Sequence, residues 1–187
     1  MTVRRRLTVF TIILFSFCLI AAARGDQKDP RLDALFAELS VADGADRAQA
    51  LEARIWSIWL EPPAGPGIAE AMQRGLRMMA LGQGHDAMRA FDTVVAAAPG
   101  YAEGWNKRAT IRYALGDLDG SIEDIQRTLA LEPRHFGALS GLGLVRLAQD
   151  KPAEALEAFE LALKIHPNLP SRPNIEALRD QVRGRPL

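Results

Sequence analysis

Phe91-Asp92-Thr93-Val94-Val95-Ala96-Ala97-Ala98-Pro99, Ile125-Gln126-Arg127-Thr128-Leu129-Ala130-Leu131-Glu132-Pro133 and Phe159-Glu160-Leu161-Ala162-Leu163-Lys164-Ile165-His166-Pro167 are the same segment written three times, 34 residues apart. Each opens on a large apolar residue, runs through helix-favouring positions and closes on proline. Proline has no N–H and turns the preceding residue away from helix, so each segment is a helix with a fixed stop. A constant period of this length is the signature of stacked repeats.

Working outward from those prolines, the repeats span 68–101, 102–135 and 136–169. In the second, Glu103–Leu115 predicts a first helix, Gly116-Asp117 a turn, and Asp119–Leu131 a second helix with Ile122, Ile125 and Leu129 on one side. Small residues at Ala87, Ala90, Ala109, Gly143, Ala155 and Ala158 let the helices approach closely. These positions read as packing rather than chemistry.

Trp105, Ala109, Tyr113, Gly116, Ile125, Leu129 and Pro133 of the second repeat resemble the tetratricopeptide pattern, and the other copies match in phase. Leu139, Leu142-Gly143, Ala155, Phe159, Ala162 and Pro167 carry it in the third; Gly75, Leu81-Gly82, Ala87, Phe91 and Pro99 carry it in the first. The resemblance covers about 102 of 187 residues. It departs from the pattern at Ala71 and Leu139 in place of tryptophan, at Ser121 in place of alanine, and at Arg74 and Arg108 in place of leucine. An arginine stem covers apolar surface while its head reaches water. The resemblance implies an all-α fold: a right-handed solenoid of three helical hairpins, with an N-terminal helical pair and a C-terminal capping helix.

The N-terminal pair is expected within 24–67. Leu32, Leu35, Phe36 and Leu39 make one stripe; Leu51, Ile55, Ile58 and Trp59 make a second, in a helix capped by Asp46. The pair is expected to shield the first repeat, as atypical terminal units of solenoids do. Trp56 and Trp59 share a side of it, as cap core or as an aromatic docking patch. Glu61–Gly67 is a stiff Pro/Gly connection. At the other end, 170–187 holds a capping helix near Pro173–Arg183, with Ile175, Leu178 and Val182 on its apolar edge.

Residues 1–23 read as a secretory signal peptide: Arg4-Arg5-Arg6, the 14-residue apolar run Leu7–Ile20, and Ala21-Ala22-Ala23 as the cleavage site. The run is shorter than the roughly 20 residues of a membrane-spanning helix. Cleavage after Ala23 removes Cys18, the only cysteine, and three arginines, leaving 20 basic against 23 acidic residues, a net charge of −3. The expected location is periplasmic or secreted, in an exported protein of bacterial type. The alternative is an inner-membrane anchor formed by an uncleaved segment. No basic block follows the leader, which argues against nucleic acid and against a polybasic membrane patch.

Nothing in the chain reads as catalytic. His85, His135 and His166 lack metal-ligand spacing, and His135 and His166 are expected as solvated turn residues. Ser121 and Ser140 sit in no nucleophile elbow, and Gly141-Leu142-Gly143 is no phosphate loop. No cofactor is expected.

The resemblance instead implies a concave groove lined by first-helix positions. Carried over, these are Met72, Leu76 and Met79; Glu103, Asn106, Thr110 and Tyr113; and Ser140, Leu144 and Leu147. Asn106 is suited to bond a peptide backbone, and methionine is an adaptable apolar contact. The family's carboxylate clamp for chaperone C-termini falls on Met72, Leu76, Lys107, Gly137 and Gly141, so that clamp is missing. The expected function is a non-catalytic adaptor binding a peptide or partner helix in the groove. The alternative is a scaffold subunit of an envelope complex, held through its convex face or its tryptophan-bearing cap.

Overall fold

The computed structural model describes residues 26–184. The signal-peptide reading, its cleavage site and Cys18 lie outside them. Among the described residues there are nine α-helices and no strand: α1 Arg31–Ser40, α2 Ala45–Trp59, α3 Ile68–Ala80, α4 Gly84–Ala97, α5 Ala102–Ala114, α6 Leu118–Leu131, α7 Phe136–Ala148, α8 Pro152–Ile165 and α9 Arg172–Val182. This is the all-helical solenoid class that the period implies. Helices α3/α4, α5/α6 and α7/α8 pair as hairpins; α4 packs on α5 and α6 on α7, and first helices α5 and α7 also touch.

The three hairpins turn in the same way. Gln83, Asp117 and Lys151 donate their N–H to the carbonyls of Met78, Arg112 and Arg146, while Gly82, Gly116 and Asp150 donate to Met79, Tyr113 and Leu147. That double bond pattern satisfies the last carbonyls of each first helix and requires a left-handed residue just past its end. Gly82 (φ 70°) and Gly116 (φ 83°) take the seat without steric cost, and Asp150 (φ 58°) takes it in the third repeat. Asp117 caps α6, accepting from the Gly120 N–H at 3.0 Å. Helix α2, by contrast, starts at Ala45 with no side-chain cap, and Asp46 lies within its first turn.

Within each hairpin one pair sets the helix spacing. It is Gly75 against Phe91, Ala109 against Ile125, and Gly143 against Phe159. A Cβ at Gly75 would lie 2.5 Å from the Phe91 ring, and one at Gly143 would lie closer still to Phe159. The larger ring takes the smaller partner, and the middle repeat balances both sizes. Gly143→Ala is therefore expected to destabilise the chain. Overpacking costs roughly 1–3 kcal/mol, against the ~1 kcal/mol that alanine gains over glycine in a helix. A lowered urea midpoint for Gly143→Ala, recovered when Phe159→Ile rebuilds the middle repeat's pairing, checks this.

The N-terminal pair departs from the expected cap on the first repeat. Its stripes merge with Phe136, Leu139, Ala162 and Leu169 of the third repeat into one core. It lies along the inter-repeat turns. Gln27 donates to the Gly100 carbonyl at 2.6 Å and accepts from the Ala102 N–H at 3.2 Å. Arg134 reaches Asp33 at 2.7 Å, and Asn168 donates to the Ala42 carbonyl at 2.9 Å. The reason is size. Phe36, Trp56 and Trp59 need a broad apolar partner, and Gly137 leaves the space that Trp56 enters. Helix α9 closes the other end, with Ile175 buried against Ala155, Leu156 and Phe159. Arg179 pairs with Glu160 at 2.8 Å.

Candidate functional site: the groove between α5 and α7

Five of the ten expected groove residues come together between α5 and α7. Asn106, Thr110, Tyr113, Ser140 and Leu144 line a cavity of about 190 Å³, with Gly137 and Gly141 on its α7 wall. Tyr113 is 36% exposed and Leu144 46% exposed, and Leu147 continues the apolar rim one turn on. Two hydroxyls are turned onto their own helices: Thr110 donates to the Asn106 carbonyl at 2.9 Å, and Ser140 to the Phe136 carbonyl at 2.8 Å.

The other expected residues do not join this cavity. Met72 is buried in the first repeat's core beside Ala71, Phe91 and Ile111, and Leu76 and Met79 pack half-buried against that core. Their length explains it: with Gly75 so small, the neighbouring long side chains fold in around Phe91. Glu103 is also buried, beneath the N-terminal pair.

Glu103 anchors a polar cluster under the groove. One carboxylate oxygen lies 2.9 Å from His135 Nε2 and accepts from the Asn106 amide at 2.9 Å; the other lies 2.9 Å from Lys107 Nζ. His135 Nδ1 accepts the Ala138 N–H at 3.1 Å and so caps α7. That leaves the ring proton on Nε2, donated to Glu103. Burial pushes the Glu103 carboxyl up, but the His135 hydrogen bond and the Lys107 ammonium outweigh it and hold the group below the usual range. Glu52 of α2 makes the matching contact with His166 at 3.2 Å and accepts from Trp56 Nε1 at 3.1 Å. The His166 hydrogen bond holds its carboxyl low against the opposing effect of burial.

His135 and His166 are thus buried, not solvated turn residues. His135 lies flat on Trp59, centroids 4.0 Å apart at 9°. Trp59 is cap core, while Trp56 stays half-buried with Lys107 Nζ 5.0 Å over its ring. Arg108 does more than cover apolar surface. It forks onto buried Asp124 at 2.8 Å through both Nε and Nη2 and reaches Asp92 at 2.9 Å, with its guanidinium 4.9 Å from Trp105. The arginine at a usual leucine position, 16 residues from an aspartate on either side, was the available signal. Among the described residues no three His, Cys, Asp or Glu side chains converge as a metal site.

The tetratricopeptide repeat model matches residues 72–128 and 106–170. The chain is 31% identical over 155 residues to a TPR repeat-containing protein of Rhizobium etli, covering 82% of this chain and 76% of that one. Among solved structures, it superposes on the first TPR of Spaghetti (RPAP3) bound to an HSP90 peptide with a TM-score of 0.60 and 19% identity, covering 64% of this chain and 96% of that one. It superposes on MamA with a TM-score of 0.59 and 22% identity, covering 88% of this chain and 87% of that one.

Proposed function

The chain belongs to the tetratricopeptide repeat family, a protein-interaction scaffold, and from that premise we propose that it is a non-catalytic module holding a peptide or partner helix in its concave groove. The observation that carries this reading is the cavity between α5 and α7. Its lining comes from α5, α6 and α7 with no residue of the N-terminal pair, and exposed Tyr113 and Leu144 belong to it. Exposed apolar side chains that cluster at a concavity mark an interaction site more often than scattered ones do. The Spaghetti domain, of the same fold, is bound to an HSP90 peptide. This chain places Met72, Leu76, Gly137 and Gly141 at clamp positions, so a different peptide chemistry is expected.

We place the protein in the periplasm or outside the cell, on the pattern of Arg4–Arg6, the apolar run 7–20 and Ala21–Ala23. Among the described residues no helix is long and apolar enough to cross a membrane. Both readings are tested together by photo-crosslinking in intact cells, with the crosslinker at position 113 or at position 56. A chain beginning at Arg24, with one partner captured from position 113, supports an exported groove binder. Capture from position 56 alone would move the interaction to the surface around Trp56, and an intact Met1 would mean an anchored protein. Leu144→Arg, on an exposed position, is expected to abolish capture at 113 without changing the helical circular dichroism.

A further inference from the structure

We infer that the groove reads its partner through one socket, which takes a single uncharged apolar side chain of leucine, isoleucine, phenylalanine or methionine size. The inference rests on the groove reading above and adds the chemistry of the occupant.

Three observations lead to it. The first is volume. The cavity of about 190 Å³ is smaller than the ~300 Å³ at which small-molecule and cofactor sites begin. It is comparable with the roughly 150 Å³ apolar cavities that take up one benzene-sized group.

The second is the wall. A Cβ built at Gly141 meets nothing nearer than Ile125 Cδ1, at 3.8 Å. The glycine at Gly143 is required by the Phe159 ring, but the one at Gly141 has only that single ordinary contact and so leaves room in the cavity wall. Ala109, Ile125, Leu144 and Val145 give the cavity its apolar lining, and the hydroxyls of Thr110, Ser121 and Ser140 that share it already donate to helix carbonyls.

The third is charge. Every charged side chain of α5 and α7 is already paired. Glu103 pairs with Lys107 and His135, Arg108 with Asp124 and Asp92, Arg112 with Asp117 and Asp124, and Arg146 with Glu154. No cation on these two helices is left to receive an acidic residue or a chain-terminal carboxylate, and a charged side chain entering the socket would be desolvated without a partner. Complementarity therefore selects an uncharged segment with one apolar anchor. Asn106, buried in the socket's wall, commits one amide hydrogen to Glu103.

The test is a selection of random 12-residue displayed peptides on the immobilised full chain, counter-selected on Leu144→Arg. The expected result is a set of peptides sharing one Leu, Ile, Phe or Met at a fixed position, with no Asp or Glu beside it. Gly141→Leu, which fills the socket, should weaken these peptides at least tenfold, while Gly141→Ala stays within about threefold. Thr110→Leu narrows the mouth from an exposed position on the facing helix and should also weaken them, which covers the case in which Gly141→Leu folds poorly. Peptides lost on Leu144→Arg but indifferent to Gly141→Leu and Thr110→Leu would overturn the socket and leave the groove standing. A shared acidic residue would do the same. Peptides indifferent to all the variants, or no enrichment over the Leu144→Arg control, would overturn the groove reading as well.

Discussion

Trp59→Ala is expected to release the N-terminal pair while the repeats stay folded. Trp59 is 1% exposed. It stacks on His135 at 4.0 Å and sits among Phe36 at 5.8 Å, Trp56 at 5.3 Å and Phe136 at 5.2 Å. Its backbone carbonyl accepts the Tyr101 hydroxyl at 2.6 Å. Truncating a buried tryptophan costs about 3–5 kcal/mol, which is most of what one helical pair contributes to a domain stable by 5–15 kcal/mol in all. The loss should be local, because stability in stacked repeats is a sum over units and their interfaces. Hydrogen exchange should show α1 and α2 losing protection while α5–α8 keep theirs. Equal loss along the whole chain would mean that the pair and the repeats unfold as one unit. Trp59→Phe separates packing from polarity. The buried Nε1 of Trp59 has no hydrogen-bond partner, and an orphaned donor costs ~1–3 kcal/mol. Phenylalanine keeps a ring on His135 and removes that donor, so its cost should be well below that of alanine.

The repeats were legible because their signals are local and occur three times. The glycine turns at Gly82 and Gly116, the stops at Pro99, Pro133 and Pro167, and the apolar residues at Phe91, Ile125 and Phe159 each have a direct physical reading along the chain. The placement of the N-terminal pair was not legible. Its amphipathic stripes state that α1 and α2 must bury one side, but not against what. The answer depends on Gly137 making room for Trp56 and on Tyr101 meeting Trp59, contacts separated by 81 and 42 residues. The same limit explains the histidines. His135 reads as solvated until Trp59, far upstream, covers it, and His166 until Glu52 reaches it across 114 residues. Of the expected groove positions, five on α5 and α7 do line a cavity, with Tyr113 and Leu144 exposed beside it. The groove was misread at Met72 and Glu103, because a position on the concave side of a first helix is open only where no other element has filled the space above it.

Glu103→Ala should be as damaging as the loss of Trp59, for an electrostatic reason. The carboxylate is 1% exposed and holds together Lys107, His135 and Asn106. Removing it leaves the Lys107 ammonium, only 17% exposed, with no counter-charge, and takes from His135 Nε2 its acceptor. Breaking a buried pair from one side costs about 3–5 kcal/mol. The pH dependence distinguishes this from simple cavity formation. The carboxyl's pKa is held below its ordinary 4.5 in the folded chain. A lowered pKa means that the unfolded chain binds the proton more readily, so the contribution is fully present above about pH 4.5 and is lost as the pH falls below it. Glu52, lowered by its His166 hydrogen bond, acts in the same direction. Glu103→Gln carries no titrating group, so its stability deficit relative to the wild type should be widest near neutrality and narrow as the pH falls through 4.5. Urea unfolding of both proteins at a series of pH values measures that gap. A deficit independent of pH would assign Glu103 a packing role alone. A narrowing deficit would make its charge the link that ties α5, α7 and the floor of the groove into one frame.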